Sequence, residues 1–160
     1  MVTGPVGSNS ILLADGTLYE GELTRAGVPE GHGHVLDLRG TDQRGIWHRG
    51  FIYYVTGTWY AADGTKEVGS WNEAKGAKSG GTIYYTNGWK YVGDWKVIEG
   101  DVDVPNGMGL MTSPSGNSFA GEFHNGELDG PGKVLLSDGR EQAGYWRHGK
   151  YIGPTKDAAP

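Results

Sequence analysis

Two histidines and an acidic insertion come nearest, by residue type and spacing, to a metal site. His32 and His34 stand two apart in an extended segment and share a face, but no third ligand follows at a fixed spacing. The acidic segment 99–107 is similar to a calcium loop, yet it has Pro105 where a ligand belongs and Asn106 where a glycine is obligatory. We therefore expect no metal and no cofactor, with weak calcium binding by 99–107 left open.

Other catalytic chemistry has no residues to carry it. The chain has no cysteine, and it has neither a Gly-x-Ser-x-Gly elbow nor a P-loop lysine. Pairs such as Gly31-x-Gly33 are not followed by a helix that could bind phosphate. The net charge of −5 argues against nucleic-acid binding. Without these motifs, we expect no enzymatic activity. Because no basic leader precedes an apolar run, we also expect an intracellular, cytoplasmic protein.

A repeat organises the 160 residues, which include 30 glycines and 18 aromatic residues. Turn glycines recur at intervals of 24, 24, 24, 28 and 23 residues, at Gly16, Gly40, Gly64, Gly88, Gly116 and Gly139. A structural glycine follows five residues after each of them, at Gly21, Gly45, Gly69, Gly93, Gly121 and Gly144. A large apolar residue then follows two positions later, at Leu23, Trp47, Trp71, Trp95, Phe123 and Trp146.

This pattern predicts one β-hairpin per repeat, because aromatic-x-Gly-x-aromatic segments alternate with the period of a strand. The Asp-Gly and Asn-Gly pairs favour type I′ turns. The predicted fold is all-β: an elongated single-layer antiparallel meander of consecutive hairpins, with about five full repeats and a terminal half repeat. It spans 11–153, and the segments 1–10 and 154–160 are expected to be flexible.

The repeat resembles the MORN (membrane occupation and recognition nexus) family. The match is best in 88–95, Gly-Trp-Lys-Tyr-Val-Gly-Asp-Trp, followed by Gly107-Met108-Gly109, and next best in 16–23, followed by Gly31-His32-Gly33. The resemblance implies a scaffold that binds a partner's helix or extended peptide along a groove, as a component of a cytoskeletal or ciliary complex. Gln43, Glu67 and Gln142 replace an aromatic residue of the pattern, so we expect those units to pack less well.

Two faces of the sheet are candidates for the partner. The large apolar residues that flank the structural glycines two positions before and two positions after share one face of the sheet, and we call them the aromatic ladder. We expect this ladder to be partly exposed, because its rings are larger than the glycine gaps require. The opposite face is largely apolar from the third repeat onward, and contiguous exposed apolar area usually marks a partner surface. Which face forms the groove is left open. The candidate partner-binding residues are Trp47, Trp71, Tyr91, Trp95, Phe123 and Trp146 on the ladder, and Tyr60 and Tyr84 on the opposite face.

Three alternatives accompany this interpretation. In the first, the chain is a regulatory or targeting subunit of an enzyme; the resembled family also occurs attached to enzymes, and without a catalytic domain this chain would act in trans. In the second, it is a peripheral phospholipid-binding module, although the three arginines of 38–61 fall below the usual number for such a site. Finally, the last hairpin leaves an unpaired edge, so end-to-end self-association is a third alternative.

Overall fold

The computed structural model describes residues 9–73, 79–98 and 102–157, with no side chain for Val102. These residues form strands and turns, and none of them is helical. The thirteen strands follow one another in the sheet in chain order, each antiparallel to its neighbour where the register is defined. The predicted all-β class and the open meander of consecutive hairpins are therefore confirmed.

The chain divides into two compact units, Met1–Ser79 and Gly80–Pro160. The first unit contains β1 (Ser10–Leu12), β2 (Leu18–Leu23), β3 (Pro29–Leu36), β4 (Asp42–His48), β5 (Phe51–Tyr60) and β6 (Lys66–Asn72). From the boundary onward come β7 (Ser79–Tyr84), β8 (Lys90–Ile98), β9 (Val102–Thr112), β10 (Ser118–His124), β11 (Glu127–Leu135), β12 (Glu141–Arg147) and β13 (Lys150–Gly153).

The acidic insertion is a strand where the structure describes it. Residues 102–107 lie in β9, and Asp103 is buried opposite Val97 of β8. Pro105 pairs with Trp95, so this stretch continues the pairing of β9 with β8 and is not a solvent-exposed loop. Residues 99–101 of the insertion lie outside the described residues.

The Asp-Gly turns are not the predicted type I′ turns. At the first one, Leu13 and Thr17 close a three-residue loop by a backbone hydrogen bond of 2.8 Å, and only Gly16 has a positive φ, of 88°. The Asp15 carboxylate accepts the Thr17 N–H at 2.9 Å and fixes the loop. That hydrogen bond also holds the pKa of Asp15 below its usual value. The prediction fails because a carboxylate that bonds two residues ahead favours a type I turn followed by a left-handed glycine.

Type I′ geometry is found instead in the hairpins at the opposite ends of the strands. The hairpin between β4 and β5 turns through Arg49 and Gly50, with φ of 52° and 84°. Its tip is bonded to the preceding hairpin: Gly50 N–H donates to the Pro29 carbonyl at 2.9 Å, and Arg49 N–H donates to the Glu30 carboxylate at 2.6 Å. The tips at Asn125–Gly126 and His148–Gly149 repeat this arrangement. At these three tips the hairpin is therefore hydrogen-bonded to the one before it.

The Glu30 bond predicts a pH dependence of stability. The Arg49 N–H and then the His48 ring, at 2.8 Å, lower the pKa of Glu30 in the folded chain. A carboxyl whose pKa is lower when folded stabilises the fold above its unfolded value, here about 4.5, and loses that contribution as the pH falls through its folded pKa. We expect Glu30→Gln to lower the urea midpoint at pH 7, and the difference from the wild type to shrink as the pH falls below about 4.5.

The matched control is Glu20→Gln, an exposed glutamate of the same unit. It should leave the urea midpoint at pH 7 unchanged. A Glu30→Gln curve that runs parallel to the wild type from pH 7 to pH 3 would show that the tip bond does not contribute.

Candidate functional site: an aromatic groove

Glycines in register make room for tyrosine rings over the bare backbone. Gly93 of β8 pairs with Gly109 of β9; a Cβ atom built on Gly109 would collide with the ring of Tyr91, and one built on Gly93 would collide with the backbone of Met108 and Gly109 and approach the Tyr91 hydroxyl. The Tyr91 hydroxyl donates to the Asp94 carbonyl at 2.5 Å, and burial raises the pKa of Tyr91, so it stays a donor. The first unit repeats this design, with the Tyr19 ring over Gly21 and Gly33.

Each of these rings also meets the ladder residue of the next repeat. Tyr91 packs edge-to-face on Phe123 with ring centroids 5.3 Å apart, and Tyr19 packs in the same way on Trp47, also at 5.3 Å. Edge-to-face pairs of this kind contribute about 0.5–1.5 kcal/mol beyond the area that they bury. The ladder therefore connects one hairpin to the next.

The expectation that the ladder is partly exposed is wrong for its six candidate partner-binding residues, although Phe119 is half-buried. At Tyr91, as at Tyr19, the ring lies over glycine backbone and is buried. The exposed fraction is 9% or less at Trp47, Trp71, Tyr91, Trp95, Phe123 and Trp146. Their role in partner binding stays a prediction.

Two departures from the repeat are buried as well. Gln43 and Glu67 are 4% and 3% exposed, although they were expected to loosen their units. Beside them Val55, fully buried, pairs with Gly45 and takes the place that a tyrosine ring has elsewhere. Gln142 is exposed.

A groove opens on the ladder face of the second unit, and it depends on one exchange of roles. In the fifth repeat Leu128 of β11, not an aromatic ring, lies over Gly121 and Gly132. Phe119 is thereby released from covering the backbone and stays half-buried. Its ring packs at 31° against Trp89, with centroids 5.9 Å apart. These two rings form a wall of the groove.

We call this site the aromatic groove. It has a volume of about 390 Å³ and is lined by Tyr85, Asn87, Trp89, Met111, Phe119, Phe123, Gly126, Leu128, Trp146 and Gly149. None of these residues is charged. Asn87 and Trp89 lie at the β7–β8 turn, whereas Gly126 and Gly149 lie at hairpin tips at the opposite ends of the strands. The groove therefore runs from one end of the strands to the other.

Of the sequence-predicted contacts, only Phe123 and Trp146 line the groove. Trp47 and Trp71 belong to the first unit, and neither Tyr91 nor Trp95 is among the lining residues. The remaining two lie elsewhere: Tyr60 is half-buried beside Lys66, and Tyr84 is 43% exposed beside Lys90.

Sequence reasoning missed Trp89, the most informative residue of the site. In the other repeats the residue after the turn glycine is polar, at Thr17, Thr41, Thr65, Asn117 and Arg140. A tryptophan in a position that is otherwise polar was the available signal. The Asn87 side chain fixes the start of its strand by accepting the Trp89 N–H at 3.1 Å.

His32 and His34 are not part of a cluster of metal-binding side chains among the described residues. The His34 ring lies 2.7 Å from the Asp42 carboxylate, in a row that also holds Arg44. No group of three or more metal-binding side chains occurs within the described part of the chain. In that same part no helix is long and apolar enough to cross a membrane.

Comparison with known proteins assigns no family. No protein-family model matches the chain, and no curated protein matches it. Among solved structures it is similar to the SAS-4 (dCPAP) TCP domain of Drosophila melanogaster, in complex with a proline-rich motif of Ana2 (dSTIL), with 13% identity over 89% of this chain and 95% of that chain and a TM-score of 0.25.

A second solved structure is the G-box domain of the microcephaly protein CPAP, with 16% identity over 88% of this chain and 100% of that chain and a TM-score of 0.21. TM-scores this low do not establish a common fold. The aromatic groove is therefore interpreted from its own residues.

Proposed function

We propose that this chain is a non-enzymatic adaptor that binds an extended, proline-containing segment of a partner protein in the aromatic groove. The observation that carries the proposal is an uncharged groove lined by five aromatic residues, with half-buried rings of Trp89 and Phe119 at its wall. Concave apolar sites with exposed rings are where proteins hold ligands and peptides. The MORN-like repeat supports the wider proposal that the chain works within a cytoplasmic assembly such as a cytoskeletal or ciliary complex.

The length of the groove suits an extended chain. It runs along strands of about seven residues, roughly 20 Å at about 3.3 Å per residue. An extended segment of about six residues spans that length, and we propose such a segment rather than a helix as the occupant.

The backbone of the occupant favours polyproline II over a β-strand. A strand added to a sheet bonds to an unpaired edge, and the face of a sheet offers none. Polyproline II needs no such partner, because its backbone is solvated and its prolines have no N–H to satisfy. Proline rings stack on aromatic side chains, so an uncharged aromatic groove suits them.

A binding experiment tests this function. Fluorescently labelled ten-residue peptides with proline at alternate positions are titrated against the full chain, and anisotropy gives the affinity. We expect Trp89→Ala and Phe119→Ala each to weaken binding by roughly 10- to 30-fold, because aromatic side chains that pack against a bound partner are typical binding hot spots. Both residues are half-buried, so both variants should stay folded.

The matched control is Tyr60→Ala, a half-buried aromatic residue of the first unit. It should leave the affinity unchanged. Equal affinity of all three variants, or preferential binding of length-matched helical peptides, would contradict the groove as the peptide site.

A further inference from the structure

One end of the aromatic groove contains a pair of residues that can react with each other. Asn87 lines the groove and is followed by Gly88, and both residues are exposed in the turn between β7 and β8. In such a pair the backbone nitrogen of the glycine attacks the side-chain amide of the asparagine, because glycine has no Cβ atom to obstruct the approach. Asparagine is chemically labile for this reason, and Asn87 is a candidate for deamidation.

The reaction needs only water as a co-reactant. The Gly88 nitrogen forms a bond to the Asn87 Cγ atom, its proton goes to the departing amide nitrogen, and ammonia leaves a cyclic imide behind. Water then opens the imide at either of its carbonyls, which gives aspartate or isoaspartate. The net change is the exchange of the side-chain –NH₂ for –OH, and the product carries a negative charge once that group ionises.

The turn accepts the aspartate product without rearrangement. The Asn87 side-chain oxygen accepts the Trp89 N–H at 3.1 Å. Asp15, Asp63 and Asp138 accept the equivalent N–H at their own turns, at 2.9, 2.8 and 3.0 Å. Because asparagine and aspartate bond to the backbone two residues ahead through the same kind of oxygen, conversion of one into the other keeps the turn intact.

The groove does not keep its character in the same conversion. None of its lining residues is charged. A carboxylate in place of the Asn87 amide would be ionised at neutral pH, since the turn hydrogen bond holds the pKa of Asp15 and of Asp63 below its usual value. It would also replace a donor by a group that only accepts. The solvated carbonyls of a polyproline II segment are acceptors too, so the carboxylate repels them.

The reacting nitrogen is held within its own turn. The Gly88 N–H donates to the Tyr85 carbonyl at 3.1 Å, and both residues belong to the same exposed turn. Opening this turn therefore frees the nitrogen without separating any strands. Local openings of this kind cost much less than unfolding of the sheet.

The other two asparagine–glycine pairs of the sequence are held by neighbouring strands or hairpins. Asn106 lies in β9, which pairs with β8 on one side and β10 on the other. At the tip that follows Asn125, the Gly126 N–H donates to the Pro105 carbonyl of the preceding hairpin at 2.9 Å. In both places the backbone has to leave a neighbouring segment before it can react, so we expect Asn87 to react first.

We propose that Asn87 is a deamidation site, and that its conversion to aspartate turns off peptide binding in the aromatic groove. The modification depends on the turn alone, whereas its effect on binding rests on the proposed function. Since the amide is not regained in water, the change is irreversible and the modified chain keeps its fold.

Mass spectrometry of the aged full chain tests the modification. The folded protein is incubated at mildly alkaline pH, digested and fragmented, and the exchange of –NH₂ for –OH is followed at each asparagine–glycine pair. We expect conversion at Asn87 to be at least roughly 5-fold faster than at Asn106, because only the first lies in a turn that opens locally. In urea, where the chain is unfolded, the pairs should react at similar rates. No conversion at Asn87, or equal rates in the folded chain, would overturn the site.

The variant Asn87→Asp tests the effect on the groove. Its urea midpoint should match that of the wild type, and it should bind the labelled alternating-proline peptide about 10-fold more weakly, the expected size of a lost hydrogen bond that leaves an unsatisfied partner. The matched control is Ser115→Asp, which adds the same charge at the equivalent turn position of the next repeat, outside the groove lining. It should bind like the wild type.

The two parts of the proposal fail in different ways. Equal peptide affinity of Asn87→Asp and the wild type would overturn the switch. A wild type that binds no alternating-proline peptide would overturn the proposed function and the switch together, while faster conversion at Asn87 than at Asn106 would still establish the modification site.

Discussion

Gly109→Ala is expected to destabilise the fold by about 3 kcal/mol or more. A Cβ atom at this position would lie within the ring of Tyr91, and the ring is fully buried with its hydroxyl bonded to the Asp94 carbonyl. Overpacking of a tight site costs about 1–3 kcal/mol, and loss of a buried aromatic side chain costs about 3–5 kcal/mol. The backbone of Gly109 is extended, so the cost is steric rather than conformational. Urea unfolding at pH 7 measures it.

A double-mutant cycle separates this mechanism from a general intolerance of alanine. With Tyr91→Ala already in place, the ring is gone, and Gly109→Ala should then cost little, since alanine favours an extended strand slightly more than glycine does. The expected coupling between the two changes is about 2–3 kcal/mol. Additive costs would show that the ring does not occupy the space above Gly109. Gly33 and Tyr19 offer the same cycle in the first unit.

Trp71→Ala is expected to cost about 3–5 kcal/mol, because its side chain is 9% exposed and lies across from the fully buried Val55. The control is Phe51→Ala in the same unit, which removes a side chain that is 78% exposed and should change stability by no more than about 0.5 kcal/mol. Urea unfolding, followed by the fluorescence of the remaining tryptophans, compares them. Equal small losses would show that Trp71 is a surface residue and not core.

The fold was predictable because the repeat encodes it locally. The interval of 24 residues and the alternation around Gly93 specify strand direction and register without reference to distant parts of the chain. The structural glycine Gly93 pairs with the second glycine of the Gly107-Met108-Gly109 segment that follows it in the repeat. Each hairpin contacts its neighbours in the sequence, so the fold depends little on contacts between residues far apart in the chain.

The exposure of the ladder was not predictable from the same pattern. Ring size suggested that the aromatic residues exceed the glycine gaps, but the gaps align across strands, as at Gly21 and Gly33, and a ring then lies flat over both. Alignment across strands is a property of the sheet, and a single repeat does not reveal it. The turn type at Asp15 failed for a related reason, because a side-chain hydrogen bond determined the loop.

The aromatic groove depends on exchanges between repeats that look minor in sequence. Leu128 replaces a tyrosine ring as the cover of Gly121, and this frees Phe119 to pack on Trp89. The signal in the sequence was a tryptophan in an otherwise polar position, but its partner could be identified only with the strands in register. The face opposite the aromatic ladder was different. Its apolar character from the third repeat onward was visible in the sequence, and Val92 and Leu110 are exposed there in the structure.

The most direct test of the peptide site observes the indole N–H groups themselves. The chain has six tryptophans, so a two-dimensional ¹H–¹⁵N spectrum should resolve six indole signals. During titration with an alternating-proline decapeptide, we expect the signals of Trp89 and Trp146 to shift in a saturable manner while those of Trp47 and Trp71 stay fixed. Saturable shifts confined to Trp47 and Trp71, or a spectrum that does not change at all, would contradict the account.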